Sequence, residues 1–151
     1  AASHPGKKPG DMIRLAGLEQ ILWPVHCVQG TPGAAFAPGL DTSRVAKVFQ
    51  KGTDPEIDSY SGFFDNGHLR TTGLGDFLKE RGVTDVYVLG LATDYCVKFT
   101  ALDARRLGFR TVLIENACRG VNLAPGDVER AVEEMLWAGV EVIPGAGAGG
   151  S

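Results

Sequence analysis

The sequence has no apolar run approaching the roughly 20 residues that cross a bilayer as a helix. Its N-terminus lacks the basic and apolar stretches of a secretory leader. It also lacks an excess of positive charge. Fifteen Lys and Arg stand against 18 Asp and Glu, for a net charge of −3 and a pI of about 5.6. A general role on nucleic acid or on an anionic membrane therefore has no electrostatic support. Cysteine is scarce, with three in all (Cys27, Cys96 and Cys118), an odd number without the spacing of a disulfide scaffold. A reducing compartment, and so a cytoplasmic location, is the expectation. No internal repeat occurs. What remains is 44% hydrophobic and 22% charged over 151 residues, enough for one globular domain with a real core.

The ends read differently from the middle. AASHPGKKPGD opens the chain without an initiator Met, a polar, loop-like start expected of a processed, truncated or split protein. Residues 1–143 are expected to form a single α/β domain, and residues 144–151 a flexible Gly/Ala-rich tail.

Between the ends, apolar spacing predicts a strand at Val45–Phe49. It then predicts a helix after Thr72, with Leu74, Phe77 and Leu78 on one face and Gly82 as its stop. Val86–Leu91 is apolar throughout, which suits a central parallel strand covered on both faces. A helix follows from about Tyr95 to Leu107, burying Val97, Ala101, Ala104 and Leu107. Arg110–Ile114 is the next strand. Pro125–Ala138 is a helix burying Val128, Val132, Met135 and Leu136, and Val140–Ile143 is a last strand. This alternation implies βαβ crossovers and a three-layer α/β/α fold with a mostly parallel sheet. The stretch from Trp23 to Asp65, rich in Pro, Gly and aromatics, reads as long loops of the kind that carry function.

Cys96 stands where the strand ending at Leu91 passes into a helix. Ligands of open parallel sheets bind at the carboxyl ends of strands. Backbone N–H groups at a helix N-terminus favour a thiolate and can hold an oxyanion. The competing reading is a small apolar filler in a tight turn.

Three segments carry a resemblance. WPVHCVQGTPGAAF (Trp23 to Phe36), QKGTDPEIDSYSGFFDN (Gln50 to Asn66) and GLATDYCVKFTALDA (Gly90 to Ala104) resemble the nicotinamidases, also called pyrazinamidases, of the isochorismatase-like cysteine hydrolases. CRGVN (Cys118 to Asn122) is similar to a further segment of that family. The resemblance implies hydrolysis of nicotinamide to nicotinate and ammonia through a cysteine thioester, extending to pyrazinamide-type amides, within NAD salvage. It implies Cys96 as nucleophile and Lys51 as a member of the catalytic triad. Ala92 and Cys96 would form the oxyanion hole, with a cis peptide between Leu91 and Ala92. Trp23 and Tyr60 would bind substrate. His26 would be one ligand of a divalent metal ion, zinc first and Fe or Mn as alternatives.

The resemblance also implies a triad aspartate on a first strand, and a further Asp and His ligand from a DxH segment, both preceding this sequence. An N-terminal segment of the same protein is therefore expected to complete both the sheet and the site, and a homo-oligomer stays open. Two alternatives remain. Another isochorismatase-like hydrolase, acting on a different small amide or ester, would keep Cys96 and Lys51 without needing His26 or Trp23. A non-catalytic subunit or binding module would need none of them. A redox thiol has no CxxC pair to support it.

Overall fold

The computed structural model describes residues 4–15 and 17–145. They cluster into two compact units. One runs up to Val48 and includes Thr53–Ile57; the other comprises Phe49–Gly52 and the chain from Asp58 onward. The expected tail lies outside the described residues from Ala146 on, as do the first three residues of the opening loop.

The first unit holds an antiparallel hairpin, β1 (Met12–Leu15) and β2 (Leu18–Ile21), with Leu15 opposite Leu18. Gly17 takes the positive φ that a two-residue hairpin connection needs. Hydrogen bonds from Gly10 to the Leu22 carbonyl (2.7 Å) and from Leu22 to the Asp11 carbonyl (2.9 Å) carry the ladder outward. The buried Gln20 amide donates to the carbonyls of Leu15 and Glu56, tying the hairpin to residues 53–57. The rest of the unit is loop, with one 3₁₀ turn at Pro32–Ala34. The strand expected at Val45–Phe49 does not form. Val45 and Val48 are half exposed and, among the described residues, no strand pairs with them. Without a ladder partner, a short apolar run is not sufficient for a strand.

The second unit is the α/β part. Strands β3 (Asp85–Leu91), β4 (Arg110–Arg119) and β5 (Glu141–Ile143) form a parallel sheet in that spatial order. Helix α1 (Leu74–Glu80) precedes β3, α2 (Lys98–Arg106) joins β3 to β4, and α3 (Asp127–Trp137) joins β4 to β5. One core packs Val88, Leu113 and Cys118 of the sheet against Val97, Ala101, Leu102 and Met135. A second gathers Phe63, Ala104 and Phe109, with Leu74, Leu78, Val86 and Leu107 against them.

Three expectations change. The face of β3 carrying Tyr87, Leu89 and Leu91 is 54, 55 and 73% exposed, so this strand is covered on one side only among the described residues. Coverage of a face depends on what packs against it, and no described element packs on this one. Among the described residues β3 is also an edge strand, paired with β4 alone. Ala131 replaces Leu136 on the buried face of α3, where Leu136 is 50% exposed. Positions 128, 131, 132 and 135 face the core at helical spacing, and Leu136 lies at the rim of that stripe. Finally β4 runs on to Arg119, past the expected end at Ile114, after a register shift between Val88 and Gly90 on β3.

Helices α1 and α3 both begin at glycines in the left-handed conformation, Gly73 and Gly126. Nearby side chains satisfy the first turns. Thr72 Oγ1 accepts from Leu74 N–H (3.2 Å), and Asn122 Oδ1 accepts from Val128 N–H (3.0 Å). Asp127, in the first turn of α3, is held below the usual carboxylate range by the Ala124 N–H (2.7 Å) and then by the Arg130 guanidinium (2.6 Å). A lowered native pKa contributes stability that is fully present above the unfolded value of about 3.9 and is lost as pH falls through the native one. Asp127→Asn is therefore expected to flatten the acid side of the stability curve. Urea midpoints at pH 7 and pH 3 measure this; equal loss of stability between those pH values in mutant and wild type would contradict it.

Candidate active site

β3 ends at Leu91, and the Leu91–Ala92 peptide is cis, where the resemblance puts it. The chain then makes a single π-helical turn, Thr93–Val97, before α2 begins at Lys98. The helix expected from Tyr95 is thus wider in its first turn. Tyr95 N–H (3.1 Å) and Val97 N–H (3.0 Å) both converge on the Ala92 carbonyl. Lys98 N–H in turn reaches the carbonyls of Thr93 and Tyr95. Single π turns recur at functional sites. Cys96 lies inside this turn, half buried, at the carboxyl end of a parallel strand. Ala92 and Cys96 share the same turn.

The other two thiols have different surroundings. Cys118 is buried opposite Gly90 in the sheet and donates to the Ile114 carbonyl (3.3 Å). Burial pushes its thiol up, so it stays protonated at neutral pH. Cys27 is exposed in the first unit with φ 47°, a left-handed residue rather than extended chain.

Asp94 is buried two residues before Cys96. Its carboxylate accepts N–H groups of Val121 (2.9 Å) and Asn122 (2.8 Å) from the loop between β4 and α3. Burial first, then the charges of Asp94 and Asp127, push the neighbouring Tyr95 hydroxyl up.

A loop from Asp58 to Asn66 approaches the same turn. Tyr60 stacks on Phe99 (centroids 5.5 Å) and meets Tyr95 edge-on (5.4 Å). The loop is held by its own polar groups. Tyr60 N–H donates to Asn66 Oδ1 (3.0 Å) and Phe63 N–H to Ser61 Oγ (3.1 Å). Gly62 N–H donates to Thr100 Oγ1 of α2 (2.9 Å), and the Gly62 carbonyl accepts from Thr72 Oγ1 (2.7 Å). Lys51 joins this loop, its Nζ donating to the Ser59 carbonyl at 2.8 Å.

The structure thus brings Tyr60 against the residue preceding Cys96 and ties Lys51 to the residue preceding Tyr60. Trp23 and His26 lie in the first unit. His26 Nδ1 is 2.6 Å from the Pro24 carbonyl; with Nδ1 as donor, Nε2 keeps the lone pair. Asp94 is the site-proximal residue that sequence reading passed over. Its partners lie 27 and 28 positions away, and no local pattern announces them.

A sequence profile of the isochorismatase domain matches residues 10–146. The chain belongs to the isochorismatase family. It is 49% identical over 138 residues to a nicotinamidase of Escherichia coli K12, covering 91% of this chain and 65% of that protein. The chain thus spans somewhat less than two thirds of that relative's length. Among solved structures, a nicotinamidase and pyrazinamidase of Acinetobacter baumanii superposes with a TM-score of 0.90 at 48% identity, covering 95% of this chain and 69% of that one. A pyrazinamidase of Pyrococcus horikoshii, solved in complex with zinc, superposes at 0.70 with 43% identity, covering 81% and 63%. Isochorismatase-like neighbours and the parallel sheet with its helices establish the fold as isochorismatase-like α/β. No helix among the described residues is long and apolar enough to cross a membrane.

Proposed function

We propose that the protein is a nicotinamidase, hydrolysing the carboxamide of nicotinamide, and of pyrazinamide-type amides, to the acid and ammonia in NAD salvage. The observation that carries this reading is Cys96 in a π turn directly after β3, in a chain 49% identical to a nicotinamidase. The Cys96 thiolate attacks the amide carbonyl carbon. The tetrahedral oxyanion sits between the N–H groups of Ala92 and Cys96. Collapse breaks the C–N bond, and ammonia leaves with a proton delivered through Lys51. Water then adds to the thioester, releasing the carboxylate and restoring the thiol. Tyr60 and Trp23 are the proposed substrate-binding residues, aromatic faces suited to a pyridine ring.

The triad partner of Lys51 and the rest of the site are proposed to come from a segment beyond this sequence, within the third of the relatives that the chain does not cover. The one-sided pairing of β3 and its exposed Tyr87, Leu89 and Leu91 support this, since an open edge with an apolar face is otherwise a liability. The family profile spans both compact units, which supports reading them as parts of one domain. A cytoplasmic setting fits the free thiols.

The zinc of the Pyrococcus relative makes a metal a fair question. His26 suits one ligand position, with Nδ1 held by a carbonyl as metal-bound histidines commonly are. Among the described residues, however, no group of three or more His, Cys, Asp or Glu could hold a metal ion. The described residues alone do not make a metal site, and no step is drawn through one.

The intact protein should release ammonia and nicotinate from nicotinamide. Lys51→Ala is expected to lower kcat by about 10²–10⁴-fold, the usual worth of a positioned proton-transfer group, with KM little changed. Steady-state assays decide it; a kcat within threefold of wild type removes Lys51 from the chemistry.

A further inference from the structure

We infer that Asp94 is a positioning residue for the nucleophile turn, clamping it to the Gly120–Asn122 loop; this rests on the amidase reading above. Both Asp94 oxygens are committed to backbone donors: Oδ1 accepts from Val121 N–H at 2.9 Å, and Oδ2 from Asn122 N–H at 2.8 Å. Its side chain is buried, and a buried carboxylate persists only where its oxygens are hydrogen-bonded. The clamp continues beyond the loop. Asn122, at φ 51°, turns its own side-chain oxygen to Val128 N–H in the first turn of α3 (3.0 Å). One carboxylate thereby connects the π turn, the loop after β4 and the start of α3.

The fit is close. A Cβ at Gly120 would overlap the stiff γ-methyl of Val128 and come within 3.3 Å of Asp94 Oδ1, so the loop can approach only as glycine. The turn also needs such support. A π turn lacks the regular helical ladder, and here two of its amides share the single Ala92 carbonyl. The positions of Cys96 and of the N–H groups at Ala92 and Cys96 therefore depend on a group that touches no substrate.

The test compares Asp94→Asn and Asp94→Ala with wild type in the intact protein. Asparagine keeps one acceptor and alanine none. Expected kcat for nicotinamide falls about tenfold and about a hundredfold respectively, with KM within about twofold, since misplacement by an ångström costs on that order. Activity is counted per folded molecule from urea titrations, and amide hydrogen exchange at Val121 and Asn122 is expected to quicken at least tenfold in Asp94→Ala. A kcat within twofold of wild type, a kcat loss that only tracks the unfolded fraction, or unchanged exchange at both amides overturns the clamp. If wild type hydrolyses no nicotinamide, the amidase reading fails separately. The clamp is then judged by exchange and by the rate at which iodoacetamide labels Cys96, expected to change at least fivefold in Asp94→Ala; unchanged labelling overturns it.

Discussion

Cys96→Ala is expected to lower kcat for nicotinamide by about 10⁴–10⁶-fold, because removing a nucleophile removes the covalent route itself rather than one of its supports. The residual rate would come from binding and the oxyanion donors alone. Folding should be nearly unaffected. Cys96 is only half buried, and alanine fits the same turn, so a stability change of about 1 kcal/mol or less is expected. The other thiols supply the control. Cys27 is exposed in the first unit, and Cys27→Ser should retain wild-type kcat. Cys118 cannot stand in, because burial keeps it protonated and its Sγ–H is spent on the Ile114 carbonyl. Acid-quenched wild type incubated with nicotinamide should carry a nicotinoyl group on the Cys96 peptide, absent in Cys96→Ala. Activity surviving in Cys96→Ala would refute the thioester mechanism.

The elements of the second unit were largely legible because each is a local apolar pattern. The continuous run Val86–Leu91 marks β3, the spacing of Val97, Ala101 and Ala104 marks α2, and glycines punctuate their ends. The hairpin of β1 and β2 went unread, because no Asn-Gly or Asp-Gly pair marks its turn. Its strands alternate weakly, and half-exposed Met12 argues against burial. The one-sided burial of β3 was not legible for another reason: coverage of a face depends on what packs there, and that is tertiary. The π turn and the Asp94 clamp belong to the same class, set by contacts between residues far apart in sequence. At the proposed site, the candidacy of Cys96 rests on its place after a strand. Those of Lys51 and Tyr60 rest on resemblance alone, since a lone lysine and a loop tyrosine announce nothing by themselves.

Phe63→Ala is expected to be the costliest stability change in the second unit, at ~3–5 kcal/mol. Phe63 is 1% exposed and is among the largest fully buried side chains. Its ring stacks on Phe109 with centroids 6.2 Å apart, and Ala104, Leu74, Leu78, Leu107 and Val86 close around the pair. Those neighbours come from β3, α1, α2 and the turns that follow, so no single element can shift to fill the space. The backbone resists collapse as well. The Phe63 carbonyl accepts from Thr72 N–H at 2.9 Å, and Gly62 beside it is held from both α2 and Thr72. A cavity that cannot close costs the cavity term in addition to lost transfer energy. Domains of this size have ~5–15 kcal/mol in hand, so the variant should still fold, with a midpoint lower by roughly 6–20 °C. Thermal and urea unfolding measure it, and Phe63→Leu should lose less than half as much. The site is coupled to the same packing, because Phe63 anchors the loop that presents Tyr60 to Tyr95 and Phe99. KM for nicotinamide should therefore rise in Phe63→Ala at temperatures where the protein is still folded. A loss below about 1.5 kcal/mol with unchanged KM would mean that the loop is held by its hydrogen bonds to Thr100 and Thr72 and not by the aromatic core.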